Sequence, residues 1–326
     1  MGLHRTVRNI KEKLKLAEIS KADFNNLALM SYDIKELRTV EKYHQNDFYY
    51  NAYILKKYCG YDLKKPLACT TEHIGTSLHR YTWELDINDN IPLIVTMSDF
   101  RKDVISNKVS VPVYSIGPYI AYAESFLSEN KFKDYKNKLG KCLTVFPTHS
   151  THWVDVSYDT EAFCKKIKEI KNTYNFDSVR ICLYWKDIIN GFHKIYQDNG
   201  FKCVSAGHIY DKNFLPRLKS IIELSDVTMS NAYGTHVAYS FCLNKPHYLY
   251  EQKYEQKIQR YEEQAKEVDS YIIKENDDLF KKIFSTYNEE ITKEQKTFAE
   301  KFFSPQNTKT KEELYNIFTQ VENKDE

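Results

Sequence analysis

Hydroxyl, amide and imidazole side chains that directly follow apolar strand-like runs are the residues of this chain best placed to do chemistry. Ser230-Asn231-Ala232-Tyr233-Gly234-Thr235-His236 follows the run Val227–Met229 and precedes a helix-period segment carrying Val237, Tyr239 and Phe241. A strand-to-helix junction of that composition offers unpaired N–H groups, a glycine that admits close backbone approach and the positive end of a helix dipole, all suited to a phosphate. The bland alternative is that Ser230 or Asn231 only caps the helix. Other runs end alike: Leu143–Phe146 leads to Thr148, His149, Ser150, Thr151 and His152, Val179–Tyr184 to Trp185, Lys186 and Asp187, and Cys203–Ser205 to Gly207 and His208. In an open α/β sheet, ligands bind outside the carboxyl ends of the strands. His149, Ser150, Lys186, Gly207, His208, Ser230, Asn231, Gly234, Thr235 and His236 are therefore expected on one anion-binding edge. His149 and His152 are ligand types three residues apart, but no third ligand stands at a suitable spacing, so no metal is expected.

A second candidate, Thr70-Thr71-Glu72-His73-Ile74-Gly75, places a carboxylate and an imidazole beside a turn after a strand, where Glu72 or His73 would take a proton from a hydroxyl. A solvated surface loop is the competing reading. Gly117-Pro118-Tyr119 would line the same cleft or form a plain turn. There is no Walker loop, no G-x-G-x-x-G turn, no G-x-S-x-G elbow and no Asp-x-Asp to hold a divalent cation on a nucleoside diphosphate. No cofactor is expected.

Positioning these residues requires regular elements. From Cys142 to Tyr250, short apolar runs alternate with helix-period segments (Phe163, Ile167, Ile170; Ile188, Phe192, Ile195; Phe214, Leu218, Ile221), the pattern of a parallel sheet with right-handed crossovers. The earlier chain reads as α/β with weaker boundaries: a Tyr- and Lys-rich helix over residues 34–58, apolar runs near Leu67–Thr70, Ile91–Thr96 and Val111–Ile116, a helix over Phe100–Ser106 behind a Ser98-Asp99 cap, and a helical segment over Tyr119–Leu127. The polar stretch Ser128–Lys141 divides the halves. Residues 251–326, with Tyr254, Ile258 and Tyr261 at i, i+4, i+7, read as a helical tail. The expected organisation is 1–135, 136–250 and 251–326.

The chain has 326 residues, enough for two cores, and 47 basic against 45 acidic side chains give a net charge of +2, no footprint for nucleic-acid binding. The tail is net acidic and residues 1–250 net basic, so anion binding belongs to the first 250 residues. Seven cysteines without a C-x-x-C pair or secretory signal suggest reduced thiols in a cytoplasm. Leu3, Val7, Ile10 and Leu14 among basic residues make either an ordinary N-terminal helix or a peripheral membrane contact.

Phe146-Pro147-Thr148-His149-Ser150, Cys182 to Asp187, Ala206-Gly207-His208, Arg217 to Ile222 and Ser225 to His236 together resemble a group of little-characterised bacterial proteins of capsule and surface-polysaccharide synthesis. The resemblance covers roughly residues 67–250 and implies a GT-B-like architecture, two Rossmann-like domains facing across a cleft. It implies a glycosyltransferase moving a sugar from a nucleotide donor to a glycan acceptor, either free in the cytoplasm or at the inner face of the membrane, and the missing Asp-x-Asp together with a helix terminus at the leaving phosphate makes metal independence the expectation. Distantly, the pattern is similar to enzymes that use CMP-sialic acid, although Glu72 is here the single acid of the base motif and Pro147 precedes His149. Ser225 to Pro246, ending in Lys245-Pro246, also resembles CDP-glycerol polyol-phosphate transferases. A non-catalytic nucleotide-sugar binder or an epimerase of the same architecture is a further alternative.

Overall fold

The computed structural model describes residues 14–34, 39–73, 75–84, 86–87, 90–258 and 271–321. The basic start up to residue 13, Ile74 and Tyr261 lie outside the described residues. Three short parallel strands, β1 (Thr70–Thr71), β2 (Ile94–Thr96) and β3 (Val113–Ser115), form the first sheet in that order. Each is nearly all buried, as parallel strands covered on both faces must be. The region expected as one helix over 34–58 instead contains a turn of 3-10 type starting at His44 that kinks at Phe48 and Tyr49, followed by the helix α1 (Asn51–Cys59). Helix α2 (Asp99–Ser106) starts where the sequence places it, with the Ser98 hydroxyl accepting from Arg101 N–H at 3.2 Å. Over Tyr119–Leu127 only one 3-10 turn forms, Tyr119–Tyr122. The polar stretch after it is itself a helix, α3 (Glu129–Leu139), with Phe132, Tyr135 and Leu139 against the core.

The second sheet fulfils the β–α alternation. Strands β4 (Cys142–Phe146), β6 (Ser178–Cys182), β7 (Lys202–Val204), β8 (Val227–Ser230) and β9 (His247–Leu249) are all parallel, in the order β7-β6-β4-β8-β9. Numbered within this sheet, that is 3-2-1-4-5, the doubly wound order. The crossovers are α4 (Thr160–Thr173), α5 (Trp185–Ile189) with α6 (Phe192–Asp198), α7 (Phe214–Glu223) and α8 (Thr235–Cys242). Gly191, at φ +87°, breaks the expected Ile188–Ile195 helix into α5 and α6.

Strand β5 (Val154–Tyr158) pairs antiparallel with β10 (Tyr254–Ile258). The sequence reads Tyr254 and Ile258 as helical, and the structure corrects this. Residues i and i+4 share a face in a strand as well as in a helix, so the spacing did not discriminate.

One face of the second sheet is closed by Leu143, Val145, Phe163, Ile167, Ile181 and Tyr196. The other face carries Phe146, Cys182, Val204, Leu218 and Ile221 in a cluster that continues through Ile116, Tyr119 and Leu55. A continuous apolar core thus joins the two sheets. Helices α9 (Lys274–Phe284), α10 (Lys293–Phe302) and α11 (Lys311–Thr319) pack back on the molecule. Phe280, Phe284, Phe298 and Phe302 meet Val237, Ala238 and Phe241 of α8, while Leu314, Ile317 and Phe318 join the shared core. Both α10 and α11 begin with capping boxes, Thr292/Gln295 and Thr310/Glu313. A side chain at Gly117, φ +76°, would meet Thr308 at 2.8 Å, so the tail needs glycine there to seat. No helix among the described residues is long and apolar enough to cross a membrane.

His247 sits inside β9. Its Nε2 lies 3.0 Å from the Ser230 hydroxyl and its Nδ1 2.9 Å from the Thr228 hydroxyl, and these hydroxyls also reach the Ala232 and Pro246 carbonyls at 2.8 and 3.1 Å. Burial pulls this imidazole down from 6.5 to about 3 and also lowers His236. Between those pH values the unfolded chain holds more protons than the native state, so stability falls as pH falls. Urea melts from pH 7 to 4 should show a loss of up to about 1.4 kcal/mol per pH unit for each such group, and His247→Asn should flatten it. A slope unchanged by that substitution would assign the loss to other groups.

Candidate functional site

In a doubly wound sheet the strand order reverses between β4 and β8, and the crevice at their carboxyl ends is the binding position. The loops leaving these strands are latched to each other: Asn231, fully buried, accepts from Thr148 N–H at 2.6 Å and donates to Gln252 at 3.1 Å. The Ser150 N–H donates to Asp187 at 3.0 Å, and its hydroxyl accepts from Val156 N–H at 3.1 Å. Burial raises the Asp187 carboxyl, with His149 and the Ser150 bonds pulling it back. His149 donates from Nδ1 to the Ser150 carbonyl at 3.1 Å, which leaves Nε2 as its second functional atom. His236 stacks on Phe146 at 5.0 Å, and its Nε2 is buried without a hydrogen-bond partner. That orphan, at the start of α8, is the observation here that most directly asks for a ligand.

Not every expected donor contact lies in this crevice. The Ser230 hydroxyl is committed to Ala232 and His247, so it supports the junction from within. Asn231 and Ser150 shape the loops. Gly207, at φ +96°, lies beside Arg217 and Asp211, a buried ion pair at 2.6 Å. Lys186 is half-buried in α5. Gly234 is extended, and a side chain there would meet the His236 ring at 2.8 Å. His208 leaves the crevice for a cluster with His152 and Asp33, which no sequence spacing could disclose because Asp33 comes from the far N-terminal segment.

The loop after β1 touches this edge directly. Thr76 donates to Thr235 at 3.3 Å, and Tyr233 OH bonds the Thr76 carbonyl. Gly75 lets the loop approach Met97, whose Cγ would lie 2.9 Å from an added Cβ. Within the loop, Glu72 is fully buried: Arg101 Nε donates to Oε1 at 3.0 Å and Thr96 to Oε2 at 2.5 Å. Glu72 is therefore an anchor, and its engaged oxygens argue against the expectation that it abstracts a proton. Tyr119 lies beneath it, donating to the Glu72 and Val95 carbonyls. Asp99 is bound by Asn307 of the tail at 2.7 Å.

His73 is different. Its Nδ1 lies 2.9 Å from Asp86 Oδ2, and its side chain is 23% exposed while that of Asp86 is 1% exposed. Sequence reasoning missed Asp86, thirteen residues away along a segment whose described residues form no helix or strand. Nδ1–H donation to Asp86 leaves Nε2 as the proton acceptor, the orientation of a general base. Burial pulls the His73 imidazole down, Asp86 pushes it up, and the net direction is up. Phe48 and Trp83 pack on the ring at 5.4 and 5.5 Å. Phe48 also stacks on Tyr210 from the second unit, at 6.1 Å. It is held there by Tyr49 and Tyr50, both in the left-handed region at φ 55° and 56°, and by Tyr49 N–H donating to the Ile209 carbonyl at 2.8 Å.

No protein-family profile matches the chain, and no curated protein matches it. Among solved structures it is similar to UDP-GlcNAc 2-epimerase from Methanocaldococcus jannaschii, in a complex with UDP-GlcNAc and UDP (13% identity, TM-score 0.32, 49% of this chain and 45% of that one). A second structure of that epimerase gives 9% identity, TM-score 0.30 and coverage of 49% and 46%. Phytolacca americana UGT2, complexed with UDP-2fluoro-glucose and pterostilbene, gives 12% identity, TM-score 0.29 and coverage of 71% and 49%. The chain spans about half the length of each of these proteins.

The His73–Asp86 pair generates a direct measurement. In NMR titrations His73 should inflect above pH 6.5 in the native protein. In Asp86→Asn, where burial acts without the carboxylate, it should inflect below. Equal inflections would show that Asp86 does not tune the ring.

Proposed function

We propose that the chain is a GT-B-type glycosyltransferase that takes a sugar from a nucleotide donor held at residues 149–251 and passes it to a glycan hydroxyl bound on the first unit. The observation that carries this reading is the contact between two chemically complementary loops. The oriented base His73 and the anion-suited junction at His236 lie on segments that touch through Thr76 and Thr235. His73 Nε2 would remove the proton of the acceptor hydroxyl as its oxygen bonds to the anomeric carbon. The nucleotide phosphate would leave toward the α8 N-terminus, His236 and His149, groups that stabilise developing negative charge. Asp86 would hold the imidazolium that forms.

The finer reading is a CMP donor carrying a sialic or other ulosonic acid and a bacterial surface glycan as acceptor. A neutral hydrogen-bonding set without an Asp-x-Asp suits a single phosphate better than a diphosphate. The organisation 1–135 for the acceptor, 136–250 for the donor and 251–326 as a helical extension is part of the same proposal.

Calorimetry with CMP, CDP, UDP, GDP and ADP should give one clear binder, with CMP expected. His149→Ala and His236→Ala should each weaken it about 10- to 100-fold, the worth of a charge-assisted hydrogen bond, with the melting temperature unchanged for the exposed His149. His73→Ala should leave that affinity intact and cut acceptor-dependent turnover by ~10²–10⁴-fold. CDP as the binder, with phosphorus found in the product, would redirect the reading to polyol-phosphate transfer. Epimerised sugar without an acceptor would redirect it to an epimerase. No binding by any of the five at millimolar concentration would remove it.

A further inference from the structure

We propose that Asp33, His152 and His208 bind a single divalent ion of the zinc type at the β7 side of the donor edge. His208 Nε2 lies 3.2 Å from His152 Nε2 and 3.7 Å from Asp33 Oδ1, and the three ligand atoms fall within 4.8 Å of one another. Bonds of about 2.0–2.1 Å in a tetrahedral site set neighbouring ligands roughly 3.3–3.4 Å apart. The imidazole pair is close to that spacing, while the carboxylate must close by a few tenths of an ångström on His208 and by up to about 1.4 Å on His152. Two imidazole nitrogens with one carboxylate suit zinc, cobalt or nickel, whereas magnesium and calcium take oxygen ligands. Three protein ligands leave a fourth position for water or substrate, the arrangement of a reactive centre and not of a closed structural one.

The surroundings fit a built site. His208 is 1% exposed, and the Trp185 ring packs on both imidazoles, at 4.6 Å from His208 and 4.9 Å from His152. His208 Nδ1 accepts from Tyr210 N–H at 3.1 Å, which in the metal-free protein puts the His208 proton on Nε2, shared with His152. Loading would have to move that proton to Nδ1 and displace the Tyr210 N–H from it, with no net proton lost when both rings are neutral. The ion would also tie the N-terminal segment, through Asp33, to the loops after β4 and β7.

The test uses the full chain, stripped with a chelator and titrated with Zn²⁺ or Co²⁺ alone, so its outcome is independent of the nucleotide reading. Calorimetry should find one ion per chain, and Co²⁺ should develop the strong visible absorption of a four-coordinate site. His152→Ala, in a half-exposed loop, should weaken binding on the order of 100-fold, at the upper end of what disturbing a metal's surroundings costs. Asp33→Asn should weaken it less, and His79→Ala, outside the cluster, should leave it unchanged. Absence of saturable binding at micromolar metal, or wild-type affinity in both His152→Ala and Asp33→Asn, would overturn the proposal and leave a hydrogen-bonded histidine pair.

Discussion

The buried pairing of Arg101 with Glu72 is the interaction on which the geometry of the first unit depends. Two opposite charges removed from water persist only when their remaining hydrogen-bonding capacity is met, and here it is. Arg101 reaches the His79 and Tyr81 carbonyls at 2.6 and 2.7 Å, and Thr96 closes the second oxygen of Glu72. The guanidinium therefore gathers a strand end, a helix start and both limbs of the loop after β1. His73, next in sequence to Glu72, inherits its position from this anchor. Removing either partner would leave an uncompensated charge in the core, a cost of about 3–5 kcal/mol, and would release the loop.

What the sequence discloses follows from how local each feature is. The alternation from Cys142 to Tyr250 is legible because fully buried parallel strands read as short apolar runs, and Phe163, Ile167 and Ile170 mark a helix face by period alone. Tyr254 and Ile258 are ambiguous at that spacing, and α3 is hidden because its exposed face is almost entirely charged and amide. The switch-point loops are equally legible, being adjacent to strand ends. The partners that give those residues their roles are not. Asp86 meets His73 from thirteen residues away, Asp33 meets His208 over most of the chain, and Arg101 meets Glu72 from another element. Such pairings are set by tertiary packing, so a residue read as a base becomes an anchor and its neighbour takes the exposed position.

The two units are knit by more than the loop contact at Thr76. The apolar cluster that runs from Leu55 through Tyr119 to Ile221 has no break where the sheets meet, and the last helices lie across both. The loop after β1 and the switch-point loops are therefore buttressed by residues far from them in sequence.

The segment bearing Phe48 behaves differently from this framework. Two adjacent tyrosines in the left-handed region each carry a conformational penalty of roughly 1–3 kcal/mol, and Tyr49 is restrained by its backbone bond to Ile209. The ring that covers the His73 imidazole is therefore fixed twice over, by the dihedral angles of the two residues that follow it and by a backbone hydrogen bond to the far unit, so the access of His73 is set by main-chain geometry and not by a side-chain rotamer.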